Sequence, residues 1–327
     1  MKILVTGGAG FIGSAVVRKA ISQGFEGVNV DVLTYSACLQ NLNSIANCDG
    51  YIFEQLDICD RASLDLVFVK HKPDAVMHLA AESHVDNSIE SSEIFIDTNI
   101  KGTYNILESA RKLQKNKSNF LIHHISTDEV FGDLDLNGTS KFFEETPYDP
   151  SSPYSASKAA SDHLVRAWSR TYKLDYLITN CSNNFGPRQH PEKLIPKAIK
   201  LILDNKKVPI YGKGTNIRDW IFVGEHVDRL VELQASSITN DTFLIGGNNE
   251  LTNIEIIQKL TSILEPTKTW DLNESIQFVE DRKGHDLRYA IDDSKLRKFL
   301  NHKKRESFLE QLKQTVDWYQ NNLSWWK

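Results

Sequence analysis

The chain is poor in cysteine, has no long apolar run and carries no basic excess, and each shortage removes a class of protein. Cys38, Cys48, Cys59 and Cys181 form no Cys-x-x-Cys pair, and four cysteines in 327 residues are too few for a disulfide framework. Reduced thiols and a cytoplasmic setting are therefore expected. No stretch approaches membrane-spanning length, and the first residues, one lysine and three apolar residues before a glycine turn, lack the apolar core of a signal peptide. A net charge of −5 offers no global attraction to nucleic acid or to an anionic membrane, although a small anionic ligand needs only local cations or helix N-termini. Metal-ligand spacing of His and Cys is also missing. His123 and His124 are adjacent on a predicted strand, where successive side chains face opposite ways, so they cannot share an ion and are expected to pack in the core. Lys112, Lys115, Lys117 and the run His302-Lys303-Lys304-Arg305 read as solvated surface, and Trp325 and Trp326 as packing. There are no internal repeats and no low-complexity linkers. What remains is the composition of a globular enzyme, 40% hydrophobic and 25% charged, long enough for a large α/β domain with a smaller lobe.

The order of elements is legible from the N-terminus. Lys2–Thr6 is a short apolar strand, followed by Gly7, Gly10 and Gly13 and then a helical pattern through Ala20. Such spacing lets the backbone turn, approach a pyrophosphate and pack helix on strand, with the helix N-terminus receiving the anion. A second strand ends in Asp31, 18 residues after Gly13, where a carboxylate can accept hydrogen bonds from an adenosine ribose and would repel a 2′-phosphate. The cofactor expected is NAD rather than NADP. A third strand is predicted over 51–58, with Asp57 and Ile58 at the adenine end, and a helix near 61–70. A fourth strand over 74–81 ends in Leu79, Ala80 and Ala81, small enough at its tip for a cofactor to lie against the backbone. Ser83 follows at the rim. Strands alternating with helices, including one over 97–113, argue for a doubly wound parallel (Rossmann) sheet.

Two constellations carry chemistry. A strand over 120–125 is followed by Thr127-Asp128-Glu129, a hydroxyl and two carboxylates at a strand end, where open α/β sheets place their sites. Further on, Ser152 reads as a helix N-cap and Pro153 as the first helical residue, so Tyr154 and Lys158 share a helix face. Ionising a tyrosine at pH 7 needs about 4 kcal/mol. A lysine about 4 Å away supplies roughly that much at an effective dielectric of 20, so the pair is expected to form a usable base. After a strand over 174–180 the second lobe begins. We expect residues 1–187 and about 216–247 to form the NAD-binding domain, and 188–215 with 248–327 the substrate lobe. Arg218 and Arg288 are the candidates there for diphosphate contacts. The helices at about 98–113 and 154–173 carry apolar residues on more than one side, including Tyr104, Leu107, Leu164 and Trp168, which predicts a homodimer.

Together with Ala80-Ala81-Glu82-Ser83-His84-Val85-Asp86, Pro191-Glu192-Lys193-Leu194-Ile195-Pro196 and Gly284-His285-Asp286, these motifs resemble the extended short-chain dehydrogenase/reductase family, and within it the dTDP-glucose 4,6-dehydratases, over essentially the whole chain. The resemblance implies that Tyr154, aided by Lys158 and Thr127, takes the C4 hydroxyl proton as NAD accepts hydride from C4. It implies that Glu129 then removes the C5 proton while Asp128 protonates the departing C6 hydroxyl. Phe11, Ile12, Leu33, Thr34, Thr98 and Asn184 would join the residues above in facing NAD. Ser83, Asn183, Lys193, Leu194, Pro209, Tyr211, Asn253 and His285 would face the nucleotide sugar. The sequence departs from the pattern at Phe131 (usually Tyr), Asn87 (often Arg), Lys283 (often Pro) and Ala37-Cys38 (often Gly-Asn). A 4-epimerase of nucleotide sugars would share the NAD site and Tyr154/Lys158 but needs no acid and base after Thr127. A non-catalytic NAD-binding protein on the same fold would need neither.

Overall fold

A computed structural model describes every residue except 116, 118, 119, 268, 301–305 and 327, together with the side chain of Trp326; the run from His302 to Arg305 and the packing of Trp326 thus lie outside the described residues. In chain order the first strands are β1 (Lys2–Thr6), β2 (Glu26–Asp31), β3 (Tyr51–Gln55), β4 (Ala75–His78), β5 (Leu121–Thr127) and β6 (Asp175–Cys181). The later ones are β7 (Asn183–Phe185), β8 (Val208–Tyr211), β9 (Ile217–Phe222), β10 (Asp241–Ile245), β11 (Glu250–Thr252) and β12 (Ile276–Val279). The helices that bear on the site are α1 (Phe11–Ser22), α2 (Arg61–His71), α3 (Val85–Glu90), α4 (Glu93–Phe95), α5 (Thr103–Gln114) and α6 (Pro153–Tyr172).

The chain divides into two compact units, the first comprising Met1–Gly132, Glu144–Cys181 and Val227–Ile245. Its seven-stranded sheet has the order β10-β6-β5-β4-β1-β2-β3, and every pairing is parallel. Strand order reverses between β1 and β4, so their C-terminal ends frame a crevice of the kind that binds ligands in such sheets. The inner strands are buried on both faces, as a sheet covered by helices requires, and mostly apolar, with Asn29, His78, His123, His124 and Asn180 as buried polar exceptions. Leu4, Val28, Val76, Ile122 and Ile178 meet Leu64 and Phe68 from α2, Ile106 and Leu107 from α5 and Val165 from α6 in one buried cluster.

The second unit comprises Asp133–Phe143, Ser182–His226 and Gly246–Lys327. It holds a three-stranded sheet, β11-β9-β7, and a parallel pair, β8 with β12, around a core that includes Phe185, Ile199, Ile257, Leu312 and Tyr319; Trp325 packs against that core. This division differs from the expected one. Residues 216–226 belong here, because β9 pairs with β7 and β11 and not with the large sheet. The segment 133–143 belongs here too, tied by Phe142 N–H donating to Ala290 O at 2.8 Å and Leu134 N–H to Arg288 O at 3.1 Å.

Element ends also shift. β3 stops at Gln55, so Asp57 and Ile58 lie in the turn beyond it. β5 continues to Thr127, which pairs with Cys181, and Asp128–Phe131 forms a 3₁₀ turn. The helix expected over 97–113 opens with a π-helical turn, Ile96–Gly102, before α5. Lys117 is no solvated bystander: its ammonium pairs with Asp74 and donates to Lys72 O at 3.0 Å and Pro73 O at 3.1 Å.

Candidate active site

At the β1–α1 turn, Gly7 has φ +71, and a Cβ there would meet the Ala80 backbone nitrogen at 2.7 Å. The turn therefore tolerates no side chain. At Gly10, the N-cap of α1, a Cβ would meet only Gly7 O, at 3.3 Å, and no side chain caps the helix. Space and uncapped first-turn N–H groups at Phe11, Ile12 and Gly13 together make an anion cradle. Asp31 is buried at the end of β2; its Oδ2 accepts from Ala9 N–H at 2.9 Å and its Oδ1 from Leu33 N–H at 2.8 Å. Burial raises its pKa and these two bonds oppose that. Each oxygen keeps a further lone pair for a ribose hydroxyl. Leu33 is held at φ +64, a conformation costly for a branched side chain and of the kind found where ligands are clamped. Thr34 and Asp57 are exposed and Ile58 is buried against α5's side, where Asn105 Nδ2 donates to its carbonyl at 2.9 Å. Thr6 Oγ1 accepts from Ala80 N–H at 3.1 Å and bonds His78 Nδ1 at 2.7 Å, so the Leu79-Ala80-Ala81 segment is fixed beside β1. Ser83 is exposed after it, and Thr98 is half-buried in the π-helical turn. These residues fit a dinucleotide.

The catalytic candidates converge in the same unit. Ser152 caps α6 through Ser155 N–H at 3.0 Å, and Pro153 occupies the first turn, as the sequence predicts. The helix start delivers Tyr154, buried, edge-on to Phe95 at 6.3 Å between centroids, with its phenol hydrogen-bonded to Thr127. Thr127 Oγ1 also accepts from Glu129 N–H at 3.3 Å, so hydroxyl, phenol and carboxylate-bearing turn are linked. Asp128 is buried and Glu129 half-buried. Phe131, where Tyr is usual, packs edge-on against Tyr148 at 5.2 Å.

One expectation is corrected. Burial first, then the Glu129 charge, push the Tyr154 phenol well above its ordinary range, against the Thr127 bond that lowers it. The i,i+4 lysine does not draw it down to neutrality. The reason is geometric: Lys158 is buried with its ammonium donating to Ile125 O at 2.9 Å. His123 and His124 are both fully buried, as expected, and no group of three or more metal-ligating side chains occurs among the described residues.

The remaining candidates lie in the second unit. Asn183 and Asn184 sit on β7, Lys193 and Leu194 at the start of a helix, Leu194–Leu203, and Asn253 at the start of another, Asn253–Leu264. Pro209 and Tyr211 are on β8. Tyr211 meets His285 edge-on at 6.3 Å, and His285 Nδ1 lies 2.7 Å from Asp281 Oδ1. Arg218 stacks on Tyr289, its carbon 4.2 Å from the ring centroid, and donates to Asp286 O at 2.9 Å and Ile217 O at 2.8 Å.

Arg288 does not fit the diphosphate role expected of it. Its Nε and Nη2 both bond Glu250 Oε2, at 3.0 and 2.7 Å, and its Nη1 donates to Ser140 O at 2.9 Å. The whole fork is spent on an internal cross-link. Sequence reasoning passed over Arg282, whose guanidinium lies 5.2 Å over the Tyr211 ring, beside His285. The signal was its place three residues before His285 in a motif already singled out.

A family model described as GDP-mannose 4,6 dehydratase matches residues 4–315. The dTDP-glucose 4,6-dehydratase of Neisseria meningitidis serogroup B is 53% identical, over 100% of this chain and 95% of its own length. Among solved structures, the dTDP-glucose 4,6-dehydratase DesIV from Streptomyces venezuelae, with NAD and TYD bound, matches with a TM-score of 0.92 at 40% identity, covering 100% of this chain and 99% of that one. UDP-glucose 4-epimerase from Thermotoga maritima, with UDP-glucose, matches at a TM-score of 0.86 and 29% identity, covering 99% of this chain and 100% of its own.

Proposed function

The chain belongs to the GDP-mannose 4,6 dehydratase family, and from that premise we propose that it is an NAD-dependent dTDP-glucose 4,6-dehydratase, converting dTDP-glucose to dTDP-4-keto-6-deoxy-glucose. The observation that carries the reading is the junction of Thr127, Asp128 and Glu129 with Tyr154, a redox base and an elimination pair linked through one hydroxyl. NAD, when bound, supplies a hydride acceptor for C4, the hydride donor for C6 and a cationic ring that favours the Tyr154 phenolate.

The protein's own groups do the proton work. Tyr154 accepts the C4 hydroxyl proton, with Thr127 Oγ1 orienting both oxygens. A ketone at C4 acidifies C5, and Glu129 takes that proton and gives one back to C5 when hydride reaches C6. Asp128, kept from water by burial, gives its proton to the departing C6 hydroxyl. Lys158 holds the β5 carbonyl at Ile125, two residues before Thr127. In this reading Ser83, Asn183, Lys193, Leu194, Tyr211, Arg218, Asn253 and His285 contact the nucleotide sugar, with Arg282 added and Arg288 removed.

An epimerase would need Tyr154 and Lys158 but not the two carboxylates, so the buried Asp128 favours dehydration. Incubation with dTDP-, UDP-, CDP- and GDP-glucose separates the readings. A 4-keto-6-deoxy product should form fastest from the dTDP sugar; a faster UDP, CDP or GDP reaction would reassign the substrate, and a C4-inverted sugar would select the epimerase.

We also propose that the protein works as a homodimer in the cytoplasm. No cysteine pair forms a disulfide, and no helix of the described residues is long and apolar enough to cross a membrane. Leu107 turns inward, fully buried, and is unavailable to a partner. Tyr104, 41% exposed, stacks edge-on with Trp168 at 5.8 Å, and Trp168 with Tyr172 at 5.7 Å, an aromatic row across α5 and α6. Leu66 and Val69 of α2 are 69% and 67% exposed. Such a face suits a second copy. Sedimentation at micromolar concentration should give twice the chain mass, and a monomer there would sink the proposal.

A further inference from the structure

Behind the Tyr154–Thr127 pair lies a buried polar layer that the reaction above does not use. Asp162, one helical turn after Lys158 on α6, is fully buried. Its Oδ2 accepts from Tyr148 Oη–H at 2.8 Å and from Asn180 Nδ2 at 3.2 Å, and its Oδ1 lies 3.1 Å from His124 Nε2. Asn180 Nδ2 also reaches Thr127 O, at 3.1 Å. Tyr148 is tied in turn to Arg166 Nη2 at 3.0 Å.

We propose that Asp162 is a positioning residue for the reaction: its carboxylate keeps the Lys158 ammonium charged and seated on the Ile125 carbonyl and, through Asn180, fixes the backbone of Thr127. The effect on turnover rests on the functional reading above; the effect on Lys158 does not.

A buried ammonium persists only with a counter-charge nearby, and a backbone carbonyl supplies a dipole, not a charge. Burial pushes Lys158 down, and Asp162 is the foremost group pushing it back up. His124 does not cancel that carboxylate. Burial pushes its imidazole down to about 4, so at neutral pH it is uncharged and sets no positive charge against Asp162, whose Oδ1 lies 3.1 Å from its Nε2. Asp162 in turn stays ionised: burial raises it, but His124 close by, the Lys158 charge and the Tyr148 bond lower it below the usual range. The other titratable groups packed around Lys158 leave the assignment intact. His78 on β4 is held neutral by burial. Cys181 on β6 adds to the pull on Lys158 but follows Asp162. Arg166 donates to Tyr148 Oη and is not among the groups that shift Lys158, while Asp128 and Glu129 act on Tyr154.

The sign follows directly. Lys158 is active when protonated, so removing Asp162 moves its titration, and the alkaline limb of kcat, toward lower pH. In the full-length protein carrying ¹³C-lysine, with the Lys158 resonance identified by its loss in Lys158→Met, Asp162→Asn should shift the Lys158 midpoint down by about one pH unit or more, a tenfold loss of the protonated form above it. The alkaline limb of kcat should follow, KM should change little, and Asp162→Glu should restore part of both. Asp162→Ser, which leaves room for water, makes the same measurement if the amide variant folds poorly. An unmoved Lys158 midpoint in a folded variant overturns the proposal. A shifted midpoint in a protein without dehydratase activity upholds it and overturns the functional reading instead.

Discussion

Replacing Glu129 by Gln should lower dehydration by roughly 10²- to 10⁴-fold, the usual worth of a positioned general base, while oxidation at C4 survives. The substitution keeps the shape of the side chain and the Thr127 Oγ1 bond to the backbone at 129, so the 3₁₀ turn should hold. What is lost is the group that removes the C5 proton. The reduced form of the site should then build up after mixing, seen as a standing near-ultraviolet absorbance, and solvent deuterium should not enter C5. A second effect runs the other way. The Glu129 charge is one of the causes that raise Tyr154, so its removal should make the phenolate easier to form and shift the pH dependence of C4 oxidation toward acid. A variant that loses C4 oxidation yet still exchanges the C5 proton of a supplied ketone would reverse the roles of the two bases.

Much of this site could be read before any coordinates. Glycine spacing after β1, the acid that ends β2 and the capped start of α6 are local signals: each depends on residues a few positions apart, whose geometry the backbone dictates. The structure places all three as expected. What escaped depends on partners distant in sequence. Arg288 reads as an anion ligand until Glu250, 38 residues away, is found to occupy it. Lys158 reads as the partner of Tyr154 because i,i+4 spacing puts them on one face, but a shared face does not fix where a long side chain ends. Its ammonium ends on Ile125, 33 residues earlier.

The same distinction explains the shifted boundaries. β9 is six residues with only Arg218 and Asp219 polar, a pattern that does not name its sheet, and only its pairing with β7 and β11 assigns it to the second unit. The π-helical turn at 96–102 has no compositional mark, since the same residues could close i→i−4 bonds; it is there that Asn99 O accepts from Ser161 Oγ at 2.6 Å. Asn99 also bonds Ser157 at 2.8 Å, so the irregular turn is fastened to α6 close to Tyr154 and Lys158. Tertiary contacts, not propensity, decide that geometry.

Deuterium placed at C4 of dTDP-glucose should arrive at C6 of the same molecule, even when labelled and unlabelled substrate are mixed. The expectation follows from having Tyr154, Asp128 and Glu129 in one short stretch of structure around Thr127: oxidation and elimination must act on a sugar that does not leave between them. The 4-keto-5,6-ene formed after water departs is an acceptor for any nucleophile, and escape would expose it to solvent. Holding it in place makes the return of hydrogen to C6 effectively intramolecular, an advantage that grows with the precision of the site. Burial of Asp128 and Tyr154 serves the same end by keeping bulk water from the reacting carbons. Mass spectrometry of the product after a mixed-substrate reaction reads the outcome. Near-complete retention with no crossover is expected. Loss of label to solvent, or its appearance in molecules that began unlabelled, would mean that the intermediate or the hydride leaves the site, and would make a simple oxidation or an epimerisation the better account of these residues.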